Sequence, residues 1–441
     1  MRATRLDNGI RILSEELADL SSLTVGVWVE NGSRYESSEQ SGISHFLEHL
    51  FFKGTERRTA TQIAEEIDAV GGVVNAFTSK EYTCYYAKVL PEHLPLALDV
   101  LGDIFLHSRF AEDEIERERS VILQEISQAE DTPDDYVHDL FGLAFWPGHP
   151  LSRPVAGTAA TVGPLRRADF LRFLEARYRP DRVLLVAAGR VRHDDLVEVA
   201  AKTFGVLRGT SPADPPCPPE PRAGLTIHEK PLEQLHVCLG APGLAQDHPD
   251  RYAAHVLNQA LGGGMSSRLF QEVRERRGKA YSVYSFLPSF HDGGYLGVYV
   301  GTSPEWAREV IDVIRAELQK VAAEGLRPDE LARTKTQIKG SLLLGLETSD
   351  SRMSRLARNQ IYFRRDVTLE EIAAGVDAVT NDQLVRVARG IFRPGTLAVT
   401  LLGDLKGERL DDGILQASAR RCRSRSCACG ADRLRSTCRS T

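Results

Sequence analysis

Two histidines and a glutamate fall within one pentapeptide, His45-Phe46-Leu47-Glu48-His49, and no other stretch of the chain is better equipped for chemistry. On an α-helix, residues four apart share a face, so the two imidazoles can hold one metal ion. Glu48, three positions after His45, points into the same space and can act as a base beside that metal. The order H-x-x-E-H inverts the commoner H-E-x-x-H zinc signature. Catalytic zinc takes three protein ligands and keeps a fourth position open, so one further donor has to come from elsewhere. Downstream, residues 116–125 (Glu-Arg-Glu-Arg-Ser-Val-Ile-Leu-Gln-Glu) contain Glu118 and Glu125. Seven residues make about two helical turns, which puts both carboxylates on one face of an acidic helix predicted for 111–130. Glu125 can ligate the metal, while Glu118 can hold a ligand or assist proton transfer. Taken alone, the pentapeptide also fits a solvated or core pair of histidines.

The surrounding sequence adds to these residues. His-Phe-Leu-Glu-His-Leu-Phe-Phe-Lys-Gly-Thr (45–55), Gly71-Gly72 followed by Asn75-Ala76-Phe77-Thr78-Ser79, and the Glu118/Glu125 helix together resemble the pitrilysin family of zinc peptidases, in its bacterial two-repeat form. That family includes insulin-degrading enzyme and the β subunit of mitochondrial processing peptidase. The second half is similar to it as well, through Leu261-Gly-Gly-Gly-Met-Ser-Ser-Arg-Leu-Phe270, Arg274, and Tyr281 in Gly-Lys-Ala-Tyr-Ser. The resemblance runs from Leu6 to about residue 405. It implies that His45, His49 and Glu125 bind Zn²⁺, that Glu48 is the general base, and that Glu118 assists. It also implies that Arg274 and Tyr281 reach over the substrate from a C-terminal domain, and that Asn75, Ala76, Phe77 and Thr78 form an edge strand that accepts the substrate as an added strand. Without the resemblance, 75–79 reads equally as part of a core hairpin, and Arg274 as one of a solvated basic run with Arg276, Arg277 and Lys279.

At 441 residues the chain exceeds what one hydrophobic core usually covers, so at least two domains are expected. Residues 209–222 hold six of the 21 prolines and predict a semi-extended linker. It separates an N-terminal zinc-peptidase domain (1–208) from a homologous C-terminal domain (223–410). Each half shows a β-rich entry, a helix, a Gly-rich turn, alternating strands, long helices and a final apolar strand. The pattern predicts an α+β fold made of two homologous α/β-sandwich repeats, each a mostly antiparallel sheet with helices packed on one face. Expected elements in the first half include strands near 9–14, 23–30, 73–79, 82–90 and 183–189, the histidine helix near 42–53, and helices near 60–70 and 92–107. The matching helix of the second half, near Tyr252–Leu261, does not carry the metal motif. Gly262-Gly-Gly264 lacks the Lys-Ser/Thr of a phosphate loop and reads as a permissive turn.

Net charge is −6, and the last segment distorts it: residues 420–441 hold seven Arg and one Asp. The acidic remainder argues against nucleic acid as a partner. Cys422, Cys427, Cys429 and Cys438 also lie in this tail, without paired C-x-x-C knuckles, so 411–441 is expected to be disordered rather than a metal module. Cys84, Cys217 and Cys238 are scattered and imply no disulfide framework. No apolar run approaches the length of a membrane span. The first strand follows the N-terminus so closely that no signal or transit peptide is expected, which predicts a cytoplasmic protein of bacterial type.

The reading that unites these features is a zinc-dependent metalloendopeptidase acting on peptides or unfolded, extended segments. Because relatives enclose substrate in a chamber of four repeats, a two-repeat chain is expected to form a homodimer. Two rivals are a catalytically inactive structural or peptide-binding subunit of a processing-peptidase-like complex, and a metal-binding chaperone that holds peptides without cutting them.

Overall fold

The computed structural model describes residues 1–214 and 217–415. Six strands of the first half are β1 (Arg2–Arg5), β2 (Arg11–Glu16), β3 (Leu23–Val29), β4 (Val73–Thr78), β5 (Thr83–Val89) and β6 (Val183–Gly189). Five of the second are β7 (Gly224–His228), β8 (Leu235–Pro242), β9 (Ala280–Phe286), β10 (Tyr295–Thr302) and β11 (Ala398–Leu402). They form two sheets, ordered β1-β2-β6-β3-β5-β4 and β7-β11-β8-β10-β9. Apart from β1, the pairing is the same in both. One parallel pair (β2 with β6, β7 with β11) leads into antiparallel pairs through to the edge strands β4 and β9. The two repeats expected from the sequence are therefore present; β7 lies outside the apolar stretches 236–240, 281–285, 295–300 and 397–403 that predict the other four strands of the second half.

All seven residues of β3 and all seven of β6 are buried. Such uninterrupted apolar strands need cover on both faces of the sheet. One face takes helices of the same half, among them α1 (Ile43–Phe51), α2 (Ala60–Asp68), α3 (Leu94–His107) and α4 (Glu112–Glu130), around a core containing Phe51, Tyr85, Phe105 and Phe204. The other face takes a helix from the opposite half: Met353, Leu356, Ala357 and Ile361 of helix Ser349–Phe363 pack on Trp28, Leu184 and Val186. The exchange is reciprocal. Helix α5 (Pro133–Phe145) of the first half lays Val137, Leu140, Phe141 and Phe145 on Cys238, Tyr299, Ala398 and Leu402 of the second sheet. A glycine in the central strand of each sheet makes room. A Cβ on Gly26 would lie 2.9 Å from Met353 Sδ, and one on Gly240 would lie 2.3 Å from Phe141 Cζ. The helices of each repeat thus cover one face of its own sheet, and one borrowed helix covers the other.

Polar contacts fasten the same junction. Arg34 Nη1 donates to Glu81 Oε1 at 2.7 Å, and the fully buried Glu81 carboxylate also accepts from His291 N at 3.2 Å. The Pro-rich segment is not a free tether, since the Cys217 carbonyl accepts from Arg34 Nη2 at 3.2 Å and Arg222 N donates to Phe145 O at 2.8 Å. No helix or strand forms in its described residues, in keeping with the extended linker expected there. At the other end a 3-10 turn, Asp412–Leu415, places Ile414 in the second core. The rest of the Arg/Cys-rich tail, 416–441, lies outside the described residues. Among the described residues no helix is long and apolar enough to cross a membrane.

Candidate active site

Helix α1 is anchored by its apolar side. Ile43, Phe46, Leu47, Leu50 and Phe51 are buried in the first core. Its N-terminus has no side-chain cap of its own; instead the Glu36 carboxylate accepts the N–H groups of Gly42 (2.8 Å) and Ser44 (2.9 Å), which satisfies two of the orphan donors. What the buried face leaves over is the row His45, Glu48, His49, turned toward α4. Helix α4 carries Glu112, Asp113 and Glu114 in its first turn, where the helix dipole favours them. Arg119 pins it: its Nη2 donates to Leu165 O at 2.7 Å and its guanidinium lies 5.5 Å from the Phe46 ring centroid. That contact fixes the rotation of α4 so that Glu118 and Glu125 face α1.

The convergence is close. Glu125 Oε2 lies 3.7 Å from His45 Nε2 and 3.6 Å from His49 Nε2. The donor atoms of these three residues all fall within 4.8 Å of one another, the one such group found among the described residues. Tetrahedral zinc with ligands near 2.0–2.1 Å requires donor separations of about 3.3 Å, so small side-chain shifts would close the set on one ion. The donors suit it chemically too. Burial, and next to it the neighbouring His49, lowers the His45 pKa to about 4, so this imidazole is neutral at pH 7 with a lone pair to give. His45 Nδ1 is buried without a hydrogen-bond partner among the described residues. His49 Nδ1, by contrast, is 3.1 Å from Glu118 Oε2, which fixes the ring with Nε2 facing Glu125.

Two contacts at this site were not foreseen from the sequence. Lys53 Nζ lies 2.8 Å from Glu118 Oε1, so the buried Glu118 carboxylate bridges a lysine and a histidine. The available signal was spacing, since Lys53 follows His49 by one helical turn. The second contact joins the edge strand to Glu48: Thr78 Oγ1 donates to Glu48 Oε2 at 2.6 Å. Burial raises the Glu48 pKa above the ordinary carboxylate range, while the Thr78 hydrogen bond opposes that rise.

Asn75, Ala76, Phe77 and Thr78 all lie on β4, which bonds β5 on one side only and so presents a free backbone edge beside α1. Alternation sends Val74 and Ala76 toward the first core and Phe77 to the opposite face, where its ring meets Trp28 at 5.5 Å. Asn75 Oδ1 is occupied by Ala76 N at 2.8 Å. Arg274 and Tyr281 sit in the second half, on a π-helical turn (Phe270–Glu275) and on the edge strand β9. The guanidinium stacks 4.8 Å from the Tyr281 centroid, and Tyr281 is 77% exposed. No hydrogen bond, ion pair or ring contact among the described residues joins this pair to the histidines or to Glu48 and Glu125 of the same chain.

Comparison with known proteins agrees with the two-repeat layout. Residues 11–159 match the family model described as Insulinase (Peptidase family M16), and residues 164–338 match the one described as Peptidase M16 inactive domain. An uncharacterised zinc protease of Streptomyces coelicolor is 43% identical over 94% of this chain and 92% of its own length. The uncharacterised zinc protease YmxG of Bacillus subtilis is 44% identical over 87% of this chain and 94% of its own. The fold is also that of two crystal structures. One, a peptidase M16 inactive domain from Pseudomonas fluorescens, has TM-score 0.86 at 20% identity, covering 91% of this chain and 97% of that one. The other, a protease from Helicobacter pylori, has TM-score 0.84 at 24% identity, covering 91% and 99%. Matched by two family models that together run from residue 11 to 338 and by relatives along nearly its whole length, the chain belongs to the M16 (insulinase) family of peptidases.

Proposed function

We propose that this protein is a zinc-dependent endopeptidase that cuts peptides or unfolded, extended polypeptide segments. The observation that carries the reading is the meeting of His45 Nε2, His49 Nε2 and Glu125 Oε2 next to a glutamate held by the edge strand. Those three side chains would hold the ion. When bound, zinc lowers the pKa of a water toward neutrality and polarises the scissile carbonyl. Glu48 takes the proton of the attacking water and returns it to the leaving amine. Its raised pKa suits both halves of that transfer, and the Thr78 hydrogen bond to Oε2 leaves Oε1 to carry the proton. Glu118, itself held by Lys53, keeps the His49 ring in the orientation ligation needs.

Substrate recognition follows from the free edge of β4. A peptide added there as a strand pairs through backbone groups, which makes few demands on side chains and selects extended or unfolded segments. Arg274 and Tyr281 bind substrate carbonyls or the developing oxyanion. Their separation from the histidines in one chain supports a symmetric homodimer in which Arg274 and Tyr281 of the partner subunit complete each site. The test of the function is Glu48→Gln, which keeps shape and removes the base. We expect cleavage of a quenched peptide to fall by about a hundredfold or more while zinc content stays at one per chain. Cleavage at the unaltered rate would overturn the assignment.

A further inference from the structure

The pseudo-symmetry of the two halves exposes a second cleft. In the first half, the segment joining α5 to the next helix runs from 146 to 158 and folds back between α5 and the start of α1. Leu151 is buried there, and a Cβ on Gly42 would lie 2.6 Å from Ala156 O. In the second half the equivalent connection spans only 364–368, between helices Ser349–Phe363 and Leu369–Asp377. The space that the longer segment fills in one half is open in the other. It forms a cavity of about 620 Å³ between Ser349–Phe363 and the helices Arg251–Gly262, Pro328–Leu344 and Leu369–Asp377, a size typical of sites for small molecules.

The walls of this cavity differ in chemistry. One is apolar, made of Ile338, Leu342, Leu346, Phe363, Ile372 and Val376. The other presents Arg251, His255 and Arg358, and among the described residues no Asp or Glu lines the space. Among the described residues neither Arg251 nor Arg358 pairs with a carboxylate. Arg251 is spread against the rings of Tyr252 (4.4 Å) and Phe363 (5.1 Å), and the adjacent Glu371 is taken by Arg365 at 2.6 Å. The remaining lining arginine, Arg355, is neutralised by Glu15 and Asp366. Arg251 also donates to Tyr252 OH at 3.0 Å and His248 O at 3.4 Å, but two guanidinium groups with no ion-pair partner among the described residues, above a hydrocarbon wall, match a molecule with one anionic end and an apolar body.

We propose that this cavity binds a small aliphatic carboxylate, its chain lying on the Ile338–Leu342–Val376 wall and its carboxylate held by Arg251 and Arg358. The site is separate from the histidine cluster, and the inference does not depend on peptidase activity. Calorimetric titration of the full chain with sodium octanoate tests it. One octanoate should bind per chain, with octan-1-ol, which keeps the body and loses the charge, about tenfold weaker or worse. The double variant Arg251→Ala/Arg358→Ala should weaken octanoate about tenfold or more. Leu342→Trp, which fills the apolar end and leaves both arginines, should abolish binding even if the double variant proves unfolded by circular dichroism. His49→Ala, lacking a metal ligand of the other site, should bind octanoate unchanged. Absence of binding at millimolar octanoate, equal affinity for the alcohol, binding intact in Leu342→Trp, or binding lost in His49→Ala would each overturn the proposal. So would preference for N-acetyl-leucyl-phenylalanine over octanoate, which would make the ligand a peptide C-terminus.

Discussion

Helix α1 and helix Arg251–Gly262 occupy matching places, each packed on its own sheet next to the edge strand, and they spend their outward faces differently. Both bury an apolar stripe: Ile43, Phe46, Leu47 and Leu50 in one, Ala253, Val256, Leu257 and Leu261 in the other. Opposite that stripe α1 carries His45, Glu48 and His49, and its neighbour α4 answers with Glu118 and Glu125. The second helix carries Arg251 and His255, and its neighbour Pro328–Leu344 answers with Ile338 and Leu342. The stripe is what the sheet requires; the facing cleft is unconstrained by it. One fold therefore presents a polar, metal-fitting cleft in one half and an amphipathic cavity in the other.

The comparison is broken most severely by removing a ligand from the first cleft. His49→Ala deletes one of three converging donors and the imidazole that Glu118 orients. Metal analysis after dialysis should show loss of the near-stoichiometric zinc expected of the unaltered chain, and peptide cleavage should fall to background. The fold should persist, because His49 lies off the buried stripe of α1. Full zinc retention in this variant would place the metal elsewhere.

The shared architecture can be tested next. Phe141 of α5 is fully buried on the second sheet, over a glycine that admits its ring. Phe141→Ala should cost about 3–5 kcal/mol, from lost transfer energy and the cavity left behind. Because each sheet takes a helix from the other half, the loss should lower the midpoint of one joint unfolding transition. Two transitions, of which only one moves, would show that the halves fold independently.

A smaller effect is expected from Lys53, which touches no metal ligand directly. Its ammonium holds Glu118 Oε1 while Oε2 faces His49. Partners of this kind typically tune metal affinity by 10–100-fold. Lys53→Met keeps the aliphatic stem and should weaken zinc by about tenfold in competition with a chelator, with circular dichroism unchanged. Unaltered affinity would reduce Lys53 to a surface ion pair.

Much of this was legible before any coordinates, and the reasons are local. The spacing of His45, Glu48 and His49 needs only helical periodicity. Glu125 meets them because its seven-residue interval from Glu118 preserves the helix face, while the actual docking of α4 on α1 depends on Arg119, which spacing does not reveal. Apolar runs such as Val183–Gly189 announced the central strands. They could not say what covers the second face, because the exchange of α5 and Ser349–Phe363 is a relation between residues far apart in sequence. Strand β7, half-buried throughout, gave no clean alternation to read. The cavity of the second half was hidden for another reason: it arises from the shortness of 364–368 relative to 146–158, and an absence leaves no motif.

The smallest expected effect concerns Thr78, where the edge strand touches the base. Thr78 Oγ1 donates to Glu48 Oε2 at 2.6 Å, a hydrogen bond to the charged form that holds the Glu48 pKa down against burial. Thr78→Val keeps the β-branched shape and the strand while removing the donor. In the proposed role Glu48 is a base only when ionised, so activity should exist above its pKa and be lost as pH falls through it. Without the donor that pKa rises, and the acid limb of the kcat/KM profile should move to higher pH. At a pH well above the limb the rate should change by about tenfold at most, since the carboxylate is fully ionised there with or without the donor and still serves as the base. The edge of the second sheet supplies the contrast: β9 presents Tyr281 rather than a donor to a carboxylate. Tyr281→Phe should therefore lower activity without moving the acid limb. If Thr78→Val and Tyr281→Phe gave the same unshifted profile, the link between the β4 edge and Glu48 would be structural only, and the two edges would differ less than their contacts imply.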